Sequence, residues 1–373
     1  MQTKIQKGII FTASTGGGHN QAANSLKEQL KSDGMDAEII DVFRDNNMIL
    51  ELIIEDAYSA ILNFVPSLYG GLYKLSGRPL PNSQLRRLFK RLLRKKMLNY
   101  LRIHNPDFMV STHPLFVHTI AELKADGYTN VPCISVVTDL GVHPFYRHSM
   151  IDAYITSHEH TKKSLIKLGI SPDKIFVYGI PVKKSFYEPP QNLRSDSDAF
   201  TVLLMGGSLG SKKLHHSLES LTQSNRKLII HVVCGQDTAT LNAIKRDFAE
   251  VPENIEIHLY GFVNNVGELM DKSDVLISKP GGLTVTEAIH KHIPLVIPFF
   301  LRGQEEENTT ILEKEGLAVY VSDIEALDQM IEHFIANPST LNQIRTRMQN
   351  ISRSYSLDKI GLLCSRLISQ NIA

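Results

Sequence analysis

Short apolar, β-branched runs alternate along this chain with longer segments in which apolar residues recur every three or four positions, the pattern of buried strands feeding amphipathic helices. In the first half the runs fall at residues 9–13, 35–43, 106–114, 132–137 and 175–178; in the second they fall at 200–205, 228–234, 255–260, 274–278 and 294–298. Helical spacing is clearest over 46–65, over the stretch from Leu85 to Leu101, and in a closing helix at 356–371. A succession of strand and helix of this kind predicts an α/β protein with parallel sheets. At 373 residues the chain is long for one core, and the acidic, Pro- and Ser-containing stretch 188–198 divides it. We read 1–187 as a first domain, 199–355 as a second, and 356–373 as a helix returning to the first.

The densest signal is residues 274–308. The strand Asp274-Val275-Leu276-Ile277-Ser278 stops at Lys279-Pro280-Gly281-Gly282, and a helix must begin near Leu283. Gly281 and Gly282 let the backbone approach a ligand, and the free N–H groups and positive end of the helix favour a diphosphate, to which Thr284 can also donate. Glu287, three residues after Thr284, shares its face and can accept from both hydroxyls of a ribose. The same Thr-x-x-Glu spacing is that of a capping box, which needs no ligand. After the next strand, the loop carrying Gln304, Glu305 and Asn308 offers acceptors and donors suited to sugar hydroxyls.

The first strand runs into Ser14-Thr15-Gly16-Gly17-Gly18, with His19 opening a helix. A dinucleotide fingerprint would need Gly or Ala at Gln21, and a P-loop would need Gly-Lys-Ser/Thr, so both are excluded. What remains is a glycine loop at the carboxyl end of a strand, where open α/β sheets bind ligands, with His19 as a candidate general base. Asp139 also follows a strand, in Thr138-Asp139-Leu140-Gly141, and is a second candidate, or else a turn cap. A second strand-to-helix glycine turn, Gly206-Gly207-Ser208, opens the second half.

Net charge is +1, which argues against a general nucleic-acid binder, but it hides a patch. Residues 57–106 contain no Asp or Glu and ten Lys or Arg. Leu85, Leu88, Phe89, Leu92, Leu93, Met97, Leu98 and Leu101 line one side of a helix whose other side carries Arg86, Arg87, Lys90, Arg91, Arg94 and Lys95. This is equally a core helix with a solvated basic face or a helix that docks on an anionic membrane surface, with the apolar, aromatic stretch of Leu68, Tyr69 and Tyr73 before it as a lip. No apolar run approaches the ~20 residues of a spanning helix. Three widely spaced cysteines, Cys133, Cys234 and Cys364, suit buried thiols in a reducing compartment. The histidines at 113, 118, 143, 148, 158 and 160 show no zinc spacing, and no bound metal is expected.

The pairing of KPGG-x-T-x-x-EA with Gly-Gln-Glu-x-x-Asn resembles the donor half of the two-Rossmann-domain (GT-B) glycosyltransferases that include the monogalactosyldiacylglycerol synthases, the processive diacylglycerol glucosyltransferases and the peptidoglycan lipid-linked N-acetylglucosaminyltransferase. The segments PDFMVSTHPL, VVTDLGVHPFYRH and IDAYITS are similar to the diacylglycerol branch. The resemblance implies two Rossmann-like domains facing across a cleft and an inverting transfer of glucose or galactose from a UDP-sugar to diacylglycerol or glycosyl-diacylglycerol. It places the enzyme in the cytoplasm, peripheral on the inner face of the cell membrane, with the UDP-sugar as co-substrate and no further cofactor. It implies that Glu287 holds the ribose, Gln304 and Glu305 the hexose, Phe262 and Val263 the uracil edge through their backbone, and Gly17, Gly18, Gly207, Ser208, Gly281 and Gly282 the diphosphate region. His19 would be the base, with Asp139 orienting it or acting in its place. A UDP-sugar epimerase of the same fold, a transferase to another lipid-linked acceptor and a sugar-nucleotide-sensing partner protein are the alternatives.

Overall fold

A computed structural model describes residues 5–14, 17–42, 83–191, 199–206 and 211–372. The expected helix over 46–65, the lip with Leu68, Tyr69 and Tyr73, the residues Gly207 and Ser208, and most of the 188–198 connection lie outside the described residues. Chain contacts divide the protein into a first unit, Met1–Lys183 with Arg302–Gln304 and Ser354–Ala373, and a second, Lys184–Leu301 with Glu305–Arg353.

The first unit holds a parallel sheet of β1 (Lys7–Thr12), β2 (Asp36–Asp41), β3 (Phe108–Ser111), β4 (Cys133–Val136), β5 (Ala153–Thr156) and β6 (Ile175–Val177) in the order β2-β1-β3-β4-β5-β6. Its helices are α1 (Gly17–Ser32), α2 (Ser83–His104), α3 (Pro114–Ala125) and α4 (Glu159–Lys167). Every residue of β3, β4 and β5 is buried, which explains why β3 and β4 read as continuous apolar runs and not as alternations: both sheet faces are covered. The run pattern did not mark β5. Phe11, Met109, Phe116 and Tyr154 sit in the core cluster of this unit. Gly8 pairs with Phe108 across β1 and β3, and a Cβ there would lie 2.2 Å from the Phe108 ring, so this position needs glycine.

The second unit repeats the plan with β7 (Phe200–Met205), β8 (Leu228–Val233), β9 (Ile255–Tyr260), β10 (Val275–Ser278), β11 (Leu295–Ile297) and β12 (Ala318–Tyr320), all parallel, in the order β12-β11-β10-β7-β8-β9. Its helices are α5 (Ser211–Leu221), α6 (Thr238–Asp247), α7 (Val266–Asp271), α8 (Gly282–His290), α9 (Gln304–Lys314), α10 (Leu327–Ala336) and α11 (Pro338–Ser352).

The closing helix α12 (Leu357–Ile372) groups with the first unit. Its approach is pinned by the Tyr355 phenol, which donates to the Ser157 carbonyl at 2.5 Å, and by the Ser356 N–H, which donates to the Tyr178 carbonyl at 2.9 Å. Among the described residues no helix is long and apolar enough to cross a membrane. All three cysteines are free and buried, and burial pushes the Cys234 thiol up to about 11 and that of Cys364 to about 12, which leaves them inert.

Candidate active site

In both sheets the strand order reverses at one point, between β1 and β3 in the first unit and between β7 and β10 in the second. Loops leaving the carboxyl ends of the two strands diverge there and open a crevice. The loop before His19 leaves β1 and the turn at Gly281 leaves β10, one at each of these two points.

In the first unit Phe11 pairs with Ser111, so Thr12 and Thr112 leave the sheet side by side. Beneath the glycine loop runs a chain of hydrogen bonds in which each group donates to the next. Thr112 donates to the Thr12 hydroxyl at 3.1 Å, Thr12 to the Asn20 carbonyl oxygen at 2.8 Å, Asn20 to the Ser14 hydroxyl at 2.8 Å, and Ser14 to the Asp41 carboxylate. That chain ties the loop's two ends to three strands. The helix begins at Gly17, two residues earlier than expected, and a Cβ on Gly17 would meet nothing within 4 Å, so the loop leaves open space there. Gly18 lies in its first turn.

His19 is half-buried beside this network. Its Nδ1 lies 2.7 Å from the Thr112 carbonyl oxygen and 3.1 Å from the Thr138 hydroxyl. A carbonyl only accepts, so Nδ1 carries the ring proton and Nε2 keeps its lone pair, the form a general base needs. Burial lowers the His19 pKa from its ordinary value, and the Thr112 carbonyl offsets part of that, so the ring is neutral at pH 7. Asp139 is half-buried next to Thr138, and the Gln304 amide donates to its carboxylate.

Three other histidines that invite a metal reading are helix caps. His113, His143 and His158 each accept through Nδ1 from the N–H two residues ahead, at 3.3, 3.2 and 3.1 Å. A cap acceptor must be unprotonated, and burial holds His113 well below the ordinary histidine value and His143 below it. Among the described residues no three His, Cys, Asp or Glu side chains gather as metal ligands.

In the second unit Ser278 pairs with Met205, so the turn at Lys279–Gly282 emerges beside Gly206. The N-cap of α8 is Gly281, with no side-chain cap bond, which puts Thr284 at the third helical position and Glu287 a turn deeper. The capping-box reading therefore fails, since that motif needs Thr at the cap itself. Glu287 is buried, with Thr284 half-buried on the same face.

The Gln304 loop is organised differently from the sequence expectation. Both oxygens of the buried Glu305 carboxylate are engaged within the protein, one by the Lys279 ammonium and the other by the Leu301 N–H at 2.8 Å. Asn308 is fully buried and its amide donates to the Pro280 carbonyl at 3.0 Å. Asn308 thereby braces the glycine turn, and Glu305 clamps the loop to that turn through Lys279. Lys279 was missed in the sequence because a strand-end lysine has no distinguishing spacing. Phe262 follows β9 and is 63% exposed, with Val263 half-buried beside it. A polar cavity of about 460 Å³ lies at the amino-terminal ends of β10 and β11, opposite the strand ends that carry these loops.

Residues 19–182 match the family described as monogalactosyldiacylglycerol (MGDG) synthase, and residues 201–359 match the glycosyltransferase family 28 C-terminal domain. The first half of the chain is thus similar to monogalactosyldiacylglycerol synthases and the second half to family 28 glycosyltransferases. It is 27% identical over 383 aligned residues to a processive diacylglycerol β-glucosyltransferase of Bacillus mycoides (strain KBAB4), covering 99% of this chain and 95% of that one. It is 28% identical over 370 residues to the protein of the same name from Bacillus thuringiensis (strain Al Hakam), covering 96% and 92%. Acinetobacter baumannii MurG, at 17% identity and a TM-score of 0.67 over 97% of this chain and 99% of that one, shares the fold. The two six-stranded parallel sheets are those of GT-B glycosyltransferases.

The basic helix α2 is the remaining element of interest. Leu93, Met97 and Tyr100 face the core, while Arg91, Leu92 and Lys95 are exposed. Arg94 is not free: it pairs with Asp126 and Glu122 and lies over the Tyr128 ring. The pairing removes Arg94 from the expected docking set, because an acidic partner from the next helix already neutralises it. Arg86, Arg87 and Lys90 lie on the same helix, with side chains outside the described residues.

Proposed function

We propose that this protein moves glucose from UDP-glucose, with inversion, to the free hydroxyl of diacylglycerol or a glycosyl-diacylglycerol. The observation that carries this reading is the match over nearly the whole chain to relatives named processive diacylglycerol β-glucosyltransferase. In the reaction His19 Nε2 takes the acceptor hydroxyl proton as its oxygen attacks the anomeric carbon and UDP departs. Backbone N–H groups at the start of α8, together with those of Gly207 and Ser208, meet the charge developing on the diphosphate. Glu287 accepts from the ribose hydroxyls, and Gln304 with the Phe262-Val263 backbone contributes to sugar and base recognition. Mass spectrometry of products from diacylglycerol and a panel of UDP-sugars tests the proposal. Glucosyl-diacylglycerol from UDP-glucose is expected; sugar-nucleotide turnover without lipid would overturn it in favour of an epimerase.

Glu287→Ala weakens UDP binding by about 1–3 kcal/mol, the cost of leaving the ribose hydroxyls without a charged acceptor. Calorimetry with UDP checks this, and an unchanged affinity removes Glu287 from the ribose role.

We also propose that the enzyme works on the cytoplasmic membrane face, held by the exposed face of α2, with Leu68, Tyr69 and Tyr73 meeting the acyl chains. Anionic headgroups attract each nearby Lys or Arg by about 1 kcal/mol, and salt screens that attraction over about 10 Å at 0.1 M. Reversing Arg86, Arg87, Lys90, Arg91 and Lys95 to Glu abolishes cosedimentation with anionic vesicles and leaves UDP affinity intact. Wild-type cosedimentation of that variant would make the helix a solvated face only.

A further inference from the structure

We propose that Thr138 is a positioning residue that holds His19 in its working orientation and stabilises the cation it becomes. The inference rests on the reading of His19 as the base. Sequence reasoning looked to Asp139 for this task because a carboxylate is the usual orienter of a catalytic histidine. The groups against Nδ1 are instead two neutral oxygens, the Thr112 carbonyl at 2.7 Å and the Thr138 hydroxyl at 3.1 Å.

These two oxygens have different jobs. The Thr112 carbonyl has no hydrogen, so it sets the tautomer by requiring a proton on Nδ1. A single acceptor still leaves the ring free to swing about that one bond. Thr138, 6% exposed, accepts the same N–H from a second direction, and its own hydroxyl hydrogen turns towards the Thr112 carbonyl 3.5 Å away. The His113 ring stands edge-on at 4.9 Å, with centroids as reference, so His19 is confined by two oxygens and a ring.

During transfer the acceptor O–H bond breaks and an N–H bond forms at His19 Nε2. The hydroxyl electron pair forms the bond to the anomeric carbon, and the pair of the breaking carbon–oxygen bond leaves with UDP. The ring is then an imidazolium, and its Nδ1–H bonds strengthen because the donor is charged. Thr138 therefore contributes more in the transition state than in the resting enzyme, which is the condition for raising kcat rather than affinity. The titratable group against this ring is His113, which burial keeps neutral; Asp139 follows Thr138 in the chain with its carboxylate bound by Gln304, and Asp41 lies at the far end of the hydrogen-bonded chain.

The test compares Thr138→Val and Thr138→Ser with the parent, each also in a His19→Ala background. Thr138→Val is expected to lower kcat about 10- to 100-fold, the worth of a hydrogen bond to a charged group, with KM for the UDP-sugar unchanged. The acid limb of its pH profile moves to lower pH, because an oxygen that favoured the imidazolium is gone. Thr138→Ser restores kcat and the pH limb, and Thr138→Val has no further effect once His19 is absent. An unaltered kcat in Thr138→Val overturns the proposal. So does a loss of the same size in the His19→Ala background, which marks a merely structural role. If His19→Ala itself keeps near-normal turnover, the base assignment fails first and takes this inference with it.

Discussion

His19→Ala lowers turnover about 10²–10⁴-fold while leaving UDP affinity unchanged, the loss typical of a missing general base. The binding half of this expectation follows from location: His19 belongs to the first unit, while Glu287 and the α8 turn belong to the second. The parent enzyme supplies a companion signature in its pH dependence. Burial lowers the His19 pKa, and the working form is the neutral one. Activity is therefore full above the lowered value and falls as pH drops through it, so the acid limb of kcat/KM has its midpoint below 6.5, the ordinary histidine value. Its disappearance in His19→Ala ties the limb to this ring. Persistence of both the rate and the limb would transfer the role to Asp139.

The other large effect is on stability. Lys291→Met costs about 3–5 kcal/mol, the usual result of breaking a buried ion pair from one side. Lys291 caps the carboxyl end of α8 and binds Asp271 at 2.9 Å, with both side chains only 4% exposed. The other Asp271 oxygen is buried without a hydrogen-bond partner, so removing Lys291 leaves a carboxylate with no compensation at all. Replacing both, as Asp271→Leu with Lys291→Met, should recover most of the loss, since two apolar groups need no pairing. Hydrogen exchange of the α8 and β11 amides reads the change within the second unit. A single variant as stable as the parent would mean that water reaches Asp271 when the lysine is gone.

The fold was legible in the sequence, and so were the glycine turns that open α1 and α8. Five strands of each sheet were visible because a strand buried on two faces must be a short, nearly continuous apolar run, and β9 was located to the residue, whereas β5 and β12 were not marked. The turn at Gly281 and Gly282 was visible because few residues other than glycine allow so close a backbone approach ahead of a helix. Composition showed the basic helix but not that Arg94 is spent on Asp126 and Glu122, residues more than twenty positions away. The same limit hid the bond from Asn308 to the Pro280 carbonyl, by which this residue also braces the glycine turn. Residue type and local period determined which groups are candidates for the chemistry, since those depend on neighbours along the chain. What holds them was decided by tertiary structure alone. Thr112 and Thr138 meet His19 only because β3 and β4 lie next in order beside β1, and a hydrogen bond depends on distance in space, which sequence separation does not encode.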